Sequence, residues 1–350
     1  MTELDDVVRR HGYHHLRVKA IVPETDDTRS FVLDIPADQQ EAFRYEPGQF
    51  CTFRVHIDGV EHARCYSMSS APDTDRDLAV TVKRVPGGVV SNWLNDHVAE
   101  GDELEVTAPS GTFCVPPGDR PVIGFCGGSG VTPVMSIAKS VLATSSRPVS
   151  LLYANRDRES VIFAEALAEL ARRHGDQLGL HLHLDSEGGY LDSSAIIEFV
   201  DGRLDADFFI CGPGPFMDLV EEALLSLGVE AEAIFIERFV TAGQPAPAVP
   251  EEVADGGPPE TIVLILRGKK NEIPYRAGDT VLETARRANL KAPYSCEAGS
   301  CATCMALIRD GSVTMRANNA LTPEEVDEGW VLTCQSLPTS PSITIEYEPL

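Results

Sequence analysis

Four cysteines near the end of the chain stand at a spacing that suits a metal cluster. Cys296, Cys301 and Cys304 lie within nine residues, and Cys334 follows 30 positions after Cys304. The pattern C-x4-C-x2-C…C is a ligand pattern of [2Fe-2S] clusters. Structural zinc is the alternative, although it usually takes two close pairs of ligands. Because such a cluster carries electrons and does no organic chemistry itself, the rest of the chain must supply or receive those electrons.

The segment around these cysteines has a secondary-structure pattern of its own. We predict a strand over Thr261 to Leu266, a helix over Thr280 to Asn289 and a closing strand over Ile343 to Tyr347. From residue 261 to 350 the chain resembles a plant-type ferredoxin. The resemblance implies an α+β β-grasp fold whose metal ligands are Cys296, Cys301, Cys304 and Cys334.

Length and charge limit the remaining possibilities. A chain of 350 residues predicts two or three domains, and a net charge of -25 excludes a nucleic-acid role driven by phosphate attraction. From Thr261 onward 9 Lys+Arg stand against 11 Asp+Glu, a net of -2, so the preceding residues hold -23. The acidity therefore belongs to the upstream part, and no acidic docking face is expected on the ferredoxin segment.

Cysteine usage and hydropathy favour a cytoplasmic protein. The N-terminal 15 residues are charged and rich in histidine, which is unlike a secretory signal. Between Arg120 and Lys139 lie 18 uncharged residues, but four glycines and two prolines favour a strand, a turn and a helix over a membrane span. Five further cysteines form no disulfide framework, which indicates a reducing compartment: Cys51, Cys65, Cys114, Cys126 and Cys211.

Residues 241–260 contain five prolines and three glycines and are predicted to form a linker. Upstream of it the pattern changes at about residue 115. Residues 14–115 hold short alternating runs, such as Phe50 to Ile57, that predict an antiparallel β-barrel. Residues 116–240 alternate strands with helices, such as the one-faced apolar pattern of Phe216 to Leu227. This alternation predicts a doubly wound parallel sheet, with ligands at the carboxyl ends of its strands.

The barrel segment carries a candidate flavin site. The run from Arg64 to Ser70 reads R-x-Y-S-x-x-S, which offers a guanidinium for phosphate, an aromatic ring for stacking and hydroxyls for hydrogen bonds. Gly87 and Gly88 precede an apparent helix, Val89 to His97, whose free N–H groups could hold a pyrophosphate. A strand with a surface arginine and a core tyrosine is the plainer explanation of the first motif alone.

The parallel-sheet segment carries a candidate nicotinamide site. After the strand Val122 to Cys126 comes G-x-G-x-x-P, formed by Gly128, Gly130 and Pro133, and a helix through Leu142. Glycines let backbone approach a pyrophosphate, and the helix N-terminus adds partial positive charge. Any tight strand-to-helix turn would look similar. Its place on the first strand of an alternating domain, after a barrel, favours nucleotide binding.

Residues 14 to 240 resemble the ferredoxin-NADP+ reductase superfamily. The resemblance implies that Arg64 and Ser91 hold phosphates, that Tyr66 stacks on FAD, and that Ser67 and Cys211 lie at the reacting atoms. The implied FAD contacts are Arg64, Cys65, Tyr66, Ser67, Lys83, Gly88, Val90, Ser91, Thr132 and Phe239. The implied NAD(P) contacts are Gly128, Gly130, Thr132, Pro133, Asn155, Arg156, Cys211, Gly212 and Pro213.

The coenzyme preference is set after the second strand of this fold. Arg156 and Arg158 could bind a 2'-phosphate, whereas Asp157 would repel it. The balance favours NADH and leaves NADPH possible.

Nearly the whole chain is similar to the reductase component of 3-ketosteroid 9α-hydroxylase, and also to the phenylacetyl-CoA epoxidase reductase. The similar stretches include TVKRVPGGVVSNWLND and CGPGPFMDLVEEAL. The resemblance implies a flavoprotein that passes electrons singly from NAD(P)H through FAD and [2Fe-2S] to a Rieske non-haem iron oxygenase or a di-iron oxygenase. A redox-sensing iron-sulfur module is the alternative from another class.

Overall fold

A computed structural model describes residues 13–238, 259–294, 299, 302–318 and 320–347. Its first sheet has six strands in the order β4-β3-β6-β1-β2-β5, and every neighbouring pair is antiparallel. A bridge between Met68 and Val80 joins the two outer strands and closes the barrel. The strands are β1 Tyr13–Thr25, β2 Thr28–Asp34, β3 Phe50–Ile57, β4 Val60–Ser67, β5 Leu78–Lys83 and β6 Glu103–Thr107.

Alternation along these strands explains the barrel. On β2, Phe31 and Leu33 point into a core that also holds Leu16, Val18 and Val80. Helix α1, Val89–His97, covers one end of the barrel. Its Asn95 side chain donates to the Val82 carbonyl at 3.1 Å, so the helix is tied to the end of β5. The antiparallel flavin barrel expected from the sequence is confirmed.

The second sheet has five parallel strands in the order β11-β10-β7-β8-β9. Apolar clusters pack on both of its faces, so its strands are apolar on both sides, as a doubly wound sheet requires. The strands are β7 Val122–Gly127, β8 Val149–Asn155, β9 Leu178–Leu184, β10 Asp207–Cys211 and β11 Ile234–Glu237. The helices are α2 Val131–Thr144, α3 Ala164–Arg173, α4 Asp185–Gly188, α5 Ser193–Val200 and α6 Gly214–Ser226.

Aromatic rings join the barrel to this sheet. Phe113, which follows the last barrel strand, meets the Phe209 ring edge-on at a centroid distance of 5.3 Å. Phe209 in turn stacks on Phe235 at 4.8 Å. The end of the barrel and one face of the parallel sheet therefore share a core.

The C-terminal part forms a mixed sheet in the order β13-β12-β18-β14-β16, in which only the β12 and β18 pair is parallel among the described strands. A separate pair joins β15 and β17. The strands are β12 Thr261–Leu266, β13 Lys269–Pro274, β14 Met305–Asp310, β15 Val313–Met315, β16 Trp330–Leu332, β17 Ser336–Pro338 and β18 Thr344–Tyr347. The helices are α7 Val281–Arg287 and α8 Pro323–Asp327.

Helix α7 packs on this sheet and gives the α+β architecture that the sequence predicted. It ends two residues earlier than expected, because Ala288 leaves the helical conformation and Asn289 takes a left-handed φ of 60°. The predicted linker, 241–260, lies outside the described residues except for its last two positions. Within the described ranges, no helix is both long and apolar enough to cross a membrane.

Candidate functional site

The two predicted nucleotide sites form one cleft of about 980 Å³ between the barrel and the parallel sheet. Strands β4 and β5 and the start of α1 line one side. The turn after β7 and the ends of β8 and β10 line the other. The predicted residues that line it are Arg64, Cys65, Tyr66, Ser67, Lys83, Gly88, Val90, Ser91, Gly128, Thr132, Asn155, Arg156, Gly212 and Pro213.

Three predicted residues lie behind the wall of the cleft, and one cannot be placed. Gly130 and Pro133 are buried at the start of α2. The Cys211 side chain is fully buried, as is that of Cys126, and burial raises its pKa well above that of a free thiol. Cys211 is therefore a neutral thiol beneath the cleft. Phe239 lies outside the described residues.

Close packing of two turns explains the buried glycine. A Cβ at Gly130 would stand 2.0 Å from the Cys211 carbonyl oxygen. A Cβ at Gly212 would stand 3.0 Å from the backbone of Gly127. The turn after β7 therefore lies directly against the end of β10. This contact at the carboxyl ends of adjacent parallel strands is where such sheets bind dinucleotides.

The N-terminus of α1 suits a phosphate group. Gly88 is its N-cap residue and provides no side-chain cap, so first-turn N–H groups face the cleft without a capping oxygen. The Ser91 hydroxyl accepts a hydrogen bond from the Val85 N–H at 3.1 Å. Its own proton can therefore serve a phosphate oxygen. Helix N-termini stabilise anions through these N–H groups and the helix dipole.

Charges in the cleft differ in sign from the chain as a whole. Arg64, Lys83 and Arg156 line it, with Asp185 as an acidic neighbour. Asp27 lies 3.7 Å from Lys83 and 3.9 Å from Arg156, and so connects the barrel to the parallel sheet. Burial alone would raise the pKa of Asp27, but two threonine hydrogen bonds and these cations lower it. The cationic cleft can therefore accept a pyrophosphate in a chain of net charge -25.

The residues that should face a flavin ring fit such a ring. The Ser67 hydroxyl is buried at the cleft and has no hydrogen-bond partner within the described part of the chain. A buried hydroxyl of this kind needs a partner, which a ring nitrogen or oxygen would supply. The Tyr66 ring is fixed edge-on by Phe53, with centroids 5.5 Å apart. Both residues are therefore held at the wall of the cleft.

The segment expected to select the coenzyme is arranged differently from the expectation. The Asp157 carboxylate accepts from the Ser160 N–H at 2.9 Å and caps a short 3-10 turn. The Arg158 guanidinium binds Glu187 at 2.9 Å. Arg156 remains 70% exposed in the cleft. Asp157 is thus committed to its own turn, and its expected repulsion of a 2'-phosphate passes to other acidic groups.

Sequence reasoning missed several residues of the cleft and its surroundings. Asp185 and Tyr190 line its outer end, and the Tyr190 side chain is 88% exposed. Glu237 ends β11 beside Cys211, and its Oε2 is buried without a hydrogen-bond partner in the described ranges. Burial raises the pKa of Glu237 to about 8. A charged residue at the end of the apolar run Ile234–Glu237 was the available signal.

Two of the four predicted iron ligands can be placed. Cys304 and Cys334 are buried at the same end of the paired strands β14 and β16. Thr333 donates to the Cys304 carbonyl from its N–H at 3.1 Å and from its hydroxyl at 2.8 Å. A Cβ at Gly299, where φ is +73°, would stand 2.7 Å from the Ala317 carbonyl. Cys296 and Cys301 lie outside the described residues. The donor set fits a thiolate-bound cluster.

Comparison with known proteins agrees with this division. Residues 15–114 match an oxidoreductase FAD-binding domain, 125–222 an oxidoreductase NAD-binding domain and 264–339 a 2Fe-2S iron-sulfur cluster binding domain. The ferredoxin reductase component of 3-ketosteroid-9-alpha-monooxygenase from Mycobacterium tuberculosis is 41% identical over 341 residues, 95% of each chain. The chain belongs to this family of flavin and iron-sulfur reductases. It is an oxidoreductase that uses FAD, a nicotinamide and a [2Fe-2S] cluster.

Two further matches extend the comparison. A component of 1,2-phenylacetyl-CoA epoxidase from Escherichia coli is 33% identical to the reductase over 356 residues, which cover 96% of this chain and 98% of that one. Phthalate dioxygenase reductase, described as a modular structure for electron transfer from pyridine nucleotides to [2Fe-2S], matches with a TM-score of 0.60 and 24% identity. That alignment covers 99% of this chain and 100% of the solved one, and it shows a shared three-part fold.

Proposed function

We propose that this reductase takes electrons from NADH and delivers them singly, through FAD and its [2Fe-2S] cluster, to a Rieske non-haem iron oxygenase of the 3-ketosteroid 9α-hydroxylase type. The observation that carries the proposal is the single cleft in which the predicted flavin and nicotinamide residues meet. The 41% identical relative supports the choice of oxygenase. The domain boundaries we propose are near residues 115, 240 and 260.

Bound FAD supplies the chemistry that joins a hydride donor to a one-electron carrier. The chain positions it. Arg64, Lys83 and the first turn of α1 would hold its phosphates, and Ser67 would hydrogen-bond its ring. The close glycine turns at Gly130 and Gly212 would let the nicotinamide reach the same cleft. Cys304 and Cys334, with Cys296 and Cys301, would hold the cluster that delivers electrons outward.

We propose NADH as the coenzyme because an acidic group faces the adenosine end of the cleft. Asp185 follows β9 and lines that end, where its carboxylate can accept a hydrogen bond from a ribose hydroxyl and would repel a phosphate. Arg156 acts in the opposite sense. We expect kcat/KM for NADH to exceed that for NADPH by about tenfold, and Asp185→Asn to reduce this ratio. A preference for NADPH in the unaltered protein would overturn the choice. We further propose that the protein works in the cytoplasm.

Anaerobic titration tests the electron path. Stoichiometric NADH should bleach the flavin absorbance and then the cluster absorbance of the purified holoprotein. In Cys301→Ser, flavin bleaching should persist, while NADH-driven reduction of cytochrome c should fall. A protein without flavin absorbance would disprove the proposed path. Rapid cytochrome c reduction that does not depend on the cluster would contradict its role as the exit for electrons.

Reconstitution tests the acceptor. The reductase should support turnover of a purified 3-ketosteroid 9α-hydroxylase oxygenase with NADH as the reductant. The epoxidase relative supports a second candidate, a di-iron oxygenase. Turnover with the phenylacetyl-CoA epoxidase oxygenase alone would select that candidate and reject the first.

A further inference from the structure

We propose that Ser136 and Lys139 are positioning residues that lock helix α2 to the flavin strand and thereby set the separation between the nicotinamide and flavin sites. This inference rests on the proposed function, because it concerns the hydride transfer that the cleft would carry out. Neither residue lines the cleft. Their effect would therefore act through the backbone they hold.

Ser136 makes a buried contact between the two halves of the cleft. Its side chain is fully buried in the middle of α2, and its hydroxyl donates to the Ser70 carbonyl at 2.6 Å. Ser70 lies three residues after Ser67, the residue that faces the flavin position. The hydrogen bond joins residues 66 positions apart in the chain. It is therefore a direct link between the parallel sheet and the flavin motif.

Lys139 makes the second contact, one helical turn further along α2. Its Nζ donates to the Ser69 carbonyl at 3.1 Å and to the Asp75 carboxylate at 2.8 Å. The same Asp75 oxygen accepts from the Ala71 N–H at 2.7 Å. Lys139 therefore holds both the end of the flavin motif and the turn that follows it. Ser136 and Lys139 lie on the same face of α2, since they are three residues apart.

Helix α2 connects these contacts to the nicotinamide site. It begins at Val131, directly after the glycine turn Gly128–Gly130 that packs on the end of β10. Because a helix is rigid over two turns, the carbonyls of Ser69 and Ser70 are held at a fixed distance from that turn. Displacement by about 1 Å can slow a reaction between positioned groups by about 100-fold. The two contacts therefore act on the geometry of hydride transfer.

Helix α2 also offers a matched control. Ser140 is buried, at 3% exposure, one turn beyond Ser136, and its hydroxyl has no hydrogen-bond partner in the described ranges. Ser136→Ala and Ser140→Ala make the same chemical change in the same helix. Only the first removes a contact with the flavin strand. Lys139→Met removes the charged donor while keeping length, and Lys139→Arg retains a donor.

The experiment uses the holoprotein with FAD and cluster bound. We expect Ser136→Ala and Lys139→Met to slow single-turnover flavin reduction by NADH by about 10-fold to 100-fold, with KM for NADH changed less than about threefold. The long-wavelength charge-transfer absorbance between NAD+ and reduced flavin should weaken in both variants, because it depends on stacking. Amide exchange across residues 68–75 should quicken. Ser140→Ala should match the unaltered protein, and Lys139→Arg should recover most of the rate.

The outcomes separate this inference from the proposed function. If NADH does not reduce the flavin of the unaltered protein, the proposed function fails first. If NADH reduces it but Ser136→Ala and Lys139→Met behave as Ser140→Ala does, the positioning role is overturned. A loss of rate with unchanged charge-transfer absorbance would also overturn it, because the stacking would then be intact. Should Ser136→Ala fail to fold, Lys139→Met, whose side chain lies nearer the surface, decides the matter.

Discussion

The flavin-nicotinamide cleft and the iron-sulfur region hold their functional residues in different ways. The lining of the cleft runs from Arg64 to Leu219 and comes from two sheets and the turns between their elements. Three of the four cysteines lie within Cys296 to Cys304, and the fourth stands on a neighbouring strand end. One site depends on how large units pack together. The other depends on one loop and one backbone contact.

This difference separates what a local substitution can damage. In the iron-sulfur region, two hydrogen bonds from Thr333 to the Cys304 carbonyl join the two strand ends that carry ligands. In the cleft, the comparable links are long-range ones, such as the Phe113 and Phe209 rings and the Ser136 hydroxyl. We therefore expect the two sites to fail independently when either is altered by substitution.

The largest effect should come from a cluster ligand. Cys304→Ser removes a thiolate, so the [2Fe-2S] absorbance and the paramagnetic signal of the reduced cluster should be lost. Flavin reduction by NADH should keep its rate, because the cleft shares no residue with the cluster. Cys114→Ser, outside the iron-sulfur region, should leave the cluster spectrum unchanged. A parallel loss of flavin binding in Cys304→Ser would break the comparison.

Gly130→Ala should damage the cleft and spare the cluster. Its Cβ would stand 2.0 Å from the Cys211 carbonyl, so the turn after β7 must move away from β10. We expect NADH-dependent flavin reduction to slow by about 100-fold, with full cluster content by iron analysis. Gly214→Ala is the matched control, since a Cβ there meets nothing within 4 Å. Equal rates for the two variants would show that this backbone contact has no bearing on the site.

Glu237 should make stability depend on pH. Its pKa is raised to about 8 from 4.5 by burial, so between these values the folded protein keeps a proton that the unfolded chain releases. Stability is therefore greatest at low pH within this window and falls, by a few kcal/mol in all, as the pH rises to about 8. Urea unfolding at about pH 6 and pH 9 checks the sign. Glu237→Gln should flatten the dependence, and an unchanged slope would contradict the assignment.

Periodicity and spacing predicted most of the architecture. The runs that became α1 and β3 kept their predicted bounds, because strong alternation or a glycine boundary marks both. The 18 uncharged residues before Lys139 became β7, a turn and α2, as their glycines indicated. The flavin motif and the glycine turn were found because each is contiguous. Their meeting in one cleft required the fold, since no local pattern sets the angle between two sheets.

The residues that were missed share a physical cause. Glu237 was passed over because its burial depends on strand pairing with Cys211, which sequence spacing does not show. Asp157 was given a role toward the coenzyme, yet its carboxylate caps its own turn, a local use that competes with ligand binding. Ser136 and Lys139 carry no motif, because their partners are backbone carbonyls of another segment. Backbone acceptors leave no trace in the sequence that binds them.

The smallest effect should come from a helix cap in the iron-sulfur region. Thr280 begins α7 with a capping box, in which its hydroxyl accepts from the Glu283 N–H at 3.1 Å and Glu283 accepts from the Thr280 N–H at 2.7 Å. Thr280→Ala should cost about 1 kcal/mol.

Because α7 packs only within its own sheet's core cluster, we expect the loss to appear in the unfolding of the iron-sulfur region and not in that of the flavin barrel. Thermal unfolding followed separately by cluster bleaching and by flavin release would show this. Thr314→Ala, at an exposed position of β15, should leave both transitions in place. If Thr280→Ala shifts both transitions together, the two regions unfold as one cooperative unit, and the independence inferred from their different construction fails.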